Sequence, residues 1–264
     1  MVTYNFHIIS LVEGISPADV LAVLRRQNIK PLVKAKVVRW IILPKEMSKI
    51  PLLAYNIHWD MLLILPGESE LPLEARSFVK HSWSGNIGVG SSLMQGYEER
   101  NAKLLRPPPG SVKPAESYLK PISESSQGLS LSAELSQWVS NLEDERRKHP
   151  VSMLNLLKFA PNKRQQYKKY GQEFAKRVGS RHGGVAKIVA HVVGGQAKEQ
   201  GWDEIAFAHY PSIEHFAAMS GSEDYQEVNK TYRQGALVDT FILCTQEIDD
   251  DGKLAGYVSS SSKI

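Results

Sequence analysis

Three histidines sit where strands and turns could aim a proton-transfer group into a pocket. His182 precedes a Gly183-Gly184 turn, His191 lies mid-strand among valines, and His209 stands next to the end of the strand Trp202–Tyr210. Imidazole is the side chain whose ordinary pKa allows it to act as acid and as base near neutrality. His182 is therefore placed at a pocket rim and His191 in an interior, with His209 read either as a catalytic group or as an ordinary strand-end residue. Asp203 is no partner for His209, since six residues of extended chain separate them by about 20 Å. Asn155 alternates with Met153 and Leu157 on one strand face, and a buried amide needs hydrogen-bond partners. It serves either a structural network or a substrate. Tyr210, Tyr225 and Arg233 complete the set of substrate-binding candidates, Arg233 because its planar fork suits a carboxylate or phenolate. Tyr170 belongs to a helical packing stripe.

Other chemistries lack their residues. No His-Glu-x-x-His and no His-x-His occurs among the eight histidines, so no metal site is expected, and the sequence calls for no cofactor. Gly85-Asn86-Ile87-Gly88-Val89-Gly90 has its glycines in the wrong order for a dinucleotide fingerprint and reads as a flexible loop. There is no Gly-x-Ser-x-Gly elbow, and the lone Cys244 reads as a small buried apolar residue.

Composition narrows the class further. The 264 residues carry 32 Lys+Arg against 28 Asp+Glu, a formal net charge of +4, with 42% hydrophobic and 23% charged residues. This is an ordinary globular balance with apolar material for a core. The small basic excess, much of it in Lys163, Arg164, Lys168, Lys169, Lys176 and Arg177, reads as a solvated helix face and excludes nucleic acid as an expected partner. The sequence shows no long apolar span, so no membrane is expected, and a cytoplasmic location follows. The ending Ser262-Lys263-Ile264 resembles the peroxisomal Ser-Lys-Leu address, a second location to consider.

The elements that must position these residues fall into two halves. Phe6–Val12, Lys36–Leu43 and Trp59–Leu65 read as strands, with a helix started by Ser16-Pro17-Ala18-Asp19 between the first two. After Val151–Phe159, a strand, Asn162 is placed as the cap of a helix. Its apolar positions Tyr167, Tyr170, Gly171, Phe174, Ala175 and Val178 form one face. Strands at Val185–Val193, Trp202–Tyr210 and Thr240–Glu247 follow, with helical pieces from Ile213 and Ser222 before the last. Both halves thus follow the split β-α-β order called ferredoxin-like. His58-Trp59-Asp60 and Gly201-Trp202-Asp203 anchor the repeat. The expected organisation is an N-terminal half over 1–105, a Pro/Ser-rich linker over 106–130, a C-terminal half over 131–250 and a tail over 251–264.

Residues 149–248 carry Met153-Leu154-Asn155-Leu156-Leu157-Lys158-Phe159, His182-Gly183-Gly184, Gly201-Trp202-Asp203-Glu204, His209-Tyr210-Pro211-Ser212 and Ser222-Glu223-Asp224-Tyr225. In these motifs the chain resembles a domain-of-unknown-function family of the dimeric α+β barrel superfamily, and as a whole it resembles fungal two-half members. The first half lacks counterparts of the Asn-Leu-Leu-Lys-Phe and His-Gly-Gly motifs. The resemblance implies an α+β fold, tandem ferredoxin-like halves forming a dimeric-type α+β barrel, either within one chain or in a homodimer. It also implies a cleft between sheet and helices. Two functions are compatible with it. One is a cofactor-independent enzyme working by proton transfer, isomerisation or oxygenation on a small hydrophobic or aromatic metabolite. The other is a non-catalytic small-molecule binding or assembly protein.

Overall fold

The computed structural model describes residues 1–67, 70–116 and 120–256, so the Ser262-Lys263-Ile264 ending lies outside the described residues. Alternation along each strand sends one set of side chains inward and the other outward. In Val2–Leu11 (β1), Phe6 and Ile8 join one buried cluster while Ile9 and Leu11 join another. The remaining strands are Val33–Ile42 (β2), Met61–Pro66 (β3), Val79–Val89 (β4), Val151–Phe159 (β5), Val185–Gly194 (β6), Glu204–Tyr210 (β7) and Leu237–Glu247 (β8). They close into one barrel in the order β1-β3-β2-β8-β5-β7-β6-β4, every neighbouring pair antiparallel. Each half contributes a ferredoxin-like sheet, β4-β1-β3-β2 and β8-β5-β7-β6. The two seams are β2 against β8, from Ala35 opposite Glu247 to Ile42 opposite Ile242, and β4 against β6, from Asn86 opposite Gly194 to Val89 opposite Ala190. The α+β barrel is therefore complete within one chain.

The barrel interior is solid. Phe6, Trp83, Trp202, Phe207 and Phe241 fill it, and the Phe241 ring lies within 6 Å of Trp40, Trp83 and Trp202, binding the two sheets together. Helix α1 (Pro17–Arg26) covers the first sheet with Val20, Leu21, Val23 and Leu24. Its start is the expected one: the Ser16 amide donates to Asp19 Oδ2 at 2.8 Å, with Pro17 in the first turn. Tyr97–Leu105 (α2) and Ala133–Ser140 (α3) lie on either side of the mid-chain segment. Within that segment Leu129 is buried, and Leu131 just beyond it, both against the second half. The second sheet is covered by Arg164–Glu173 (α4), which runs on as a π-helical segment Phe174–Gly179 and a last turn Ser180–His182. Gly195–Glu199 (α5), Ile213–Gly221 (α6) and Glu223–Val228 (α7) follow, α7 extending through a π-helical turn Asn229–Arg233.

Two expectations are corrected. The stretch Gly85–Val89 is strand, forming the end of β4 and one barrel seam rather than a flexible loop. A Cβ at Gly85 would stand 2.6 Å from Ala197 Cβ and 2.9 Å from the Phe6 ring, so glycine is there to let α5 and β1 approach. Asn162 does not cap α4. It holds a left-handed φ of 61° in the turn, and Lys163 occupies the cap position.

The Trp-Asp repeat has a structural explanation. Asp60 Oδ2 accepts from the Leu11 amide at 2.7 Å, and Asp203 Oδ2 accepts from the Phe159 amide at 2.9 Å, each at the end of its half's first strand. The backbones agree: Asp60 N donates to Ile9 O and Asp203 N to Leu157 O, while Asp60 O accepts from Val37 and Asp203 O from Val192. Asp203 is thus a fastener in the same register as Asp60. Replacing either by alanine leaves a strand-end amide without its acceptor and should cost about 1–3 kcal/mol, read as a lower denaturation midpoint.

Two buried imidazoles make stability depend on pH. His7 is 3% and His209 1% exposed, and burial holds their pKa values down to about 4 and about 3, against 6.5 for a free ring. Both rings fold neutral, so their contribution is complete above 6.5 and declines as pH falls toward the folded values, about 1.4 kcal/mol per pH unit for each. The urea midpoint should drop on acidification from about pH 7 to about pH 4.5, and His209→Gln should flatten that slope. A midpoint constant across this range would show that the rings are not held neutral by burial.

Candidate functional site

A cleft of about 930 Å³ lies between the outer face of the second sheet and α4 with its π-helical continuation. Strand register shows why it forms in this half. On the outer face of the first half Asn5, His7 and Ile9 pair with Leu65, Leu63 and Met61, large side chains packed under α1. The corresponding pairs in the second half set Met153, Asn155 and Leu157 against Ala208, Ala206 and Glu204. Two leucines are thereby replaced by alanines, and the missing volume is the floor of the cleft. The π-helical segment belongs to its wall, where Phe174, Ala175 and Gly179 line the opening.

The polar groups gather at one end. Glu204, with a side chain 13% exposed, has Oε2 3.3 Å from Arg164 Nη2 and 3.3 Å from His191 Nδ1. Arg164 Nη2 is 2.7 Å from the same His191 Nδ1. Burial raises the Glu204 pKa above the ordinary carboxylate value, with Arg164 and His191 pulling the other way. His191 Nδ1 therefore faces both a donor and an acceptor: deprotonated it accepts from Arg164, protonated it donates to Glu204. A proton on Nδ1 therefore exchanges the Arg164 bond for one to Glu204. Among the described residues no cluster of three or more His, Cys, Asp or Glu side chains is placed to hold a metal ion.

Asn155 lines the middle of the cleft. Its Nδ2 donates to Met153 O at 2.9 Å and to Ala206 O at 3.0 Å, which leaves Oδ1 as the remaining polar atom of the amide. The Asn155 side chain is thus fixed by the strands, and its position beside the cleft is secured by backbone. Tyr210 lines the floor with its ring packed edge-on against Phe216 at 5.2 Å. Tyr167 and Tyr170 line the α4 side. Behind them, Tyr225 and Tyr170 share a hydroxyl contact of 3.3 Å, and Arg233 hydrogen bonds the Tyr167 hydroxyl.

The structure separates the three histidines. His191 belongs to the cleft, where it is half exposed at the mouth rather than interior. His182 is buried at the end of the helix, with Nε2 3.4 Å from Asp224 Oδ1, and does not line the cleft. Its Gly183 has a left-handed φ of 71°, and a Cβ there would meet Pro211 at 2.6 Å, so the His-Gly-Gly motif is a packed turn. His209 points inward to the opposite face of the sheet. It sits near the end of the barrel that buries the ion pair of Lys187 and Glu247, to which Asn101 and Ser152 also bond. Of the substrate-binding candidates, Asn155 and Tyr210 line the cleft directly, and Tyr225 and Arg233 stand behind its wall. Glu204, Arg164 and Tyr167 were not among the candidates. For Glu204 the signal was present, a carboxylate alternating with alanines on one strand face.

Neither a family model nor a curated protein matches the chain. Among solved structures it is similar to a protein of unknown function from Rhodopseudomonas palustris, with 24% identity and a TM-score of 0.35 over 49% of this chain and 95% of that one. A proposed monooxygenase from Lactobacillus acidophilus NCFM gives a TM-score of 0.44 at 7% identity, covering 98% and 99% of the two chains. A variant of DypB from Rhodococcus jostii RHA1 in complex with heme gives 0.37 at 9% identity, covering 96% of each. Among the described residues no helix is long and apolar enough to cross a membrane.

Filling the cleft tests its boundaries. Ala206→Leu copies the first half, where Leu63 occupies the corresponding position. It should lower binding of the fluorescent dye anilinonaphthalene sulfonate about tenfold or more, while the overpacking cost of about 1–3 kcal/mol seen in filled cores should be absent. Unchanged dye binding would place the dye site elsewhere.

Proposed function

We propose that the protein is an enzyme that moves a proton on a small hydrophobic or aromatic metabolite bound in the second-half cleft. The observation that carries this reading is the Glu204–His191–Arg164 group at the end of an otherwise apolar cleft. A binding protein would need the apolar walls and a few fixed polar contacts, but it has no use for a carboxylate kept partly desolvated beside an imidazole. Glu204 is assigned as general base, His191 as its proton partner and Arg164 as the group that balances charge. Asn155 orients the substrate through Oδ1. Isomerisation or reaction of the resulting carbanion with oxygen would both begin with this proton abstraction. In this reading no cofactor is required for the first step, and the duplicated topology serves one working site rather than two. Residues 149–248 are proposed to belong with the family whose motifs they resemble.

Native mass spectrometry of protein purified from its source should reveal a retained ligand and supply the substrate for assay. Glu204→Gln and His191→Ala should each reduce turnover about 10²- to 10⁴-fold. His182→Ala and His209→Gln should act on stability instead. Because the base must be ionised and burial raises its pKa, the acidic limb of the rate profile should lie above the ordinary carboxylate value of 4.5 and disappear in Glu204→Gln. Full turnover in both cleft variants would remove the assignment.

A further inference from the structure

Arg233 is a cation buried without a carboxylate. It is 6% exposed, its Nη2 has no hydrogen-bond partner, and no ion pair of Arg233 is present among the described residues. Its neighbours are the hydroxyls of Tyr167, Tyr170 and Tyr225. Burial raises the pKa of all three, so they are neutral and offer dipoles rather than charge. Glu204, the carboxylate that lines the cleft, is already held by Arg164 and His191. One positive charge is therefore left uncompensated directly behind the cleft wall, an arrangement that is costly unless something negative comes to meet it.

Arg233 does not itself line the cleft, so a direct forked contact is not available. Tyr167 stands between them. Tyr167 lines the cleft, and its hydroxyl oxygen accepts from Arg233, which leaves that hydroxyl its own proton to donate. A tyrosine that accepts from a guanidinium is a stronger donor than a free one.

We infer that the ligand of the cleft carries an oxyanion, a phenolate or an enolate, received by the Tyr167 hydroxyl with Arg233 as the positioning residue behind it. This rests on the cleft reading above and deepens it, since removing a proton from a phenol or from carbon beside a carbonyl creates that oxyanion. The proton passes to Glu204, the electron pair moves onto oxygen, and Tyr167 hydrogen bonds the charge as it forms.

The test uses two chromophores on the full chain, 4-nitrophenol and its methyl ether 4-nitroanisole, which cannot ionise. At a pH where free nitrophenol is half ionised, the bound probe should show the phenolate spectrum and bind about tenfold or more tightly than the ether. Tyr167→Phe should bring the two affinities together without weakening the ether. Arg233→Lys should retain part of the preference and Arg233→Met lose it; if the methionine variant does not fold, Tyr167→Phe and the lysine variant still decide. Equal binding of both probes to the wild type would overturn the oxyanion site and leave the cleft standing. Binding of neither would overturn both.

Discussion

A four-stranded antiparallel sheet has two edges, and each edge is a row of backbone donors and acceptors that must be covered. Here the edge strands of one half cover those of the other, β2 on β8 and β4 on β6. Everything else follows from this closure. It fixes an interior volume that must be filled, which the tryptophans and phenylalanines do. The cleft opens instead on an outer face, where the second sheet meets its helices.

The two outer faces have been put to different uses on the same backbone plan. The pairings at Asn5/Leu65, His7/Leu63 and Ile9/Met61 recur at Met153/Ala208, Asn155/Ala206 and Leu157/Glu204. Large aliphatic partners seal the first face under α1, whereas alanines and a carboxylate open the second. The energetic balance is distributed accordingly: burial of leucine and methionine stabilises one side, and on the other a partly desolvated glutamate and an unpaired arginine are tolerated by the barrel they rest on.

Much of the frame was legible in the sequence, because alternation and turn chemistry speak locally. The Trp-Asp repeat marked corresponding strands, and the structure shows its reason in the matched amide contacts of Asp60 and Asp203. The strand over Gly85–Val89 was not legible, since its glycines answer to a helix and a ring far away in sequence. The cleft was legible only in part. Asn155 and Tyr210 were marked by strand alternation, but Arg164 was read as one of several solvated bases. Glu204, though quoted within a motif, had no visible partner until β6 brought His191 beside it. The histidine before the glycine pair was the most misleading signal, because a tight turn and a pocket rim ask for the same residues.

The unequal outer faces also bear on how many equivalent clefts one barrel can carry. Two identical chains forming such a barrel would carry two equivalent clefts, each able to influence the other through the shared interior. Here one face is closed by Leu63 and Leu65, so each barrel carries a single cleft of this design. A ligand bound there as proposed would be taken up once per chain along a plain hyperbola, with no second copy of the cleft in the barrel to couple to it.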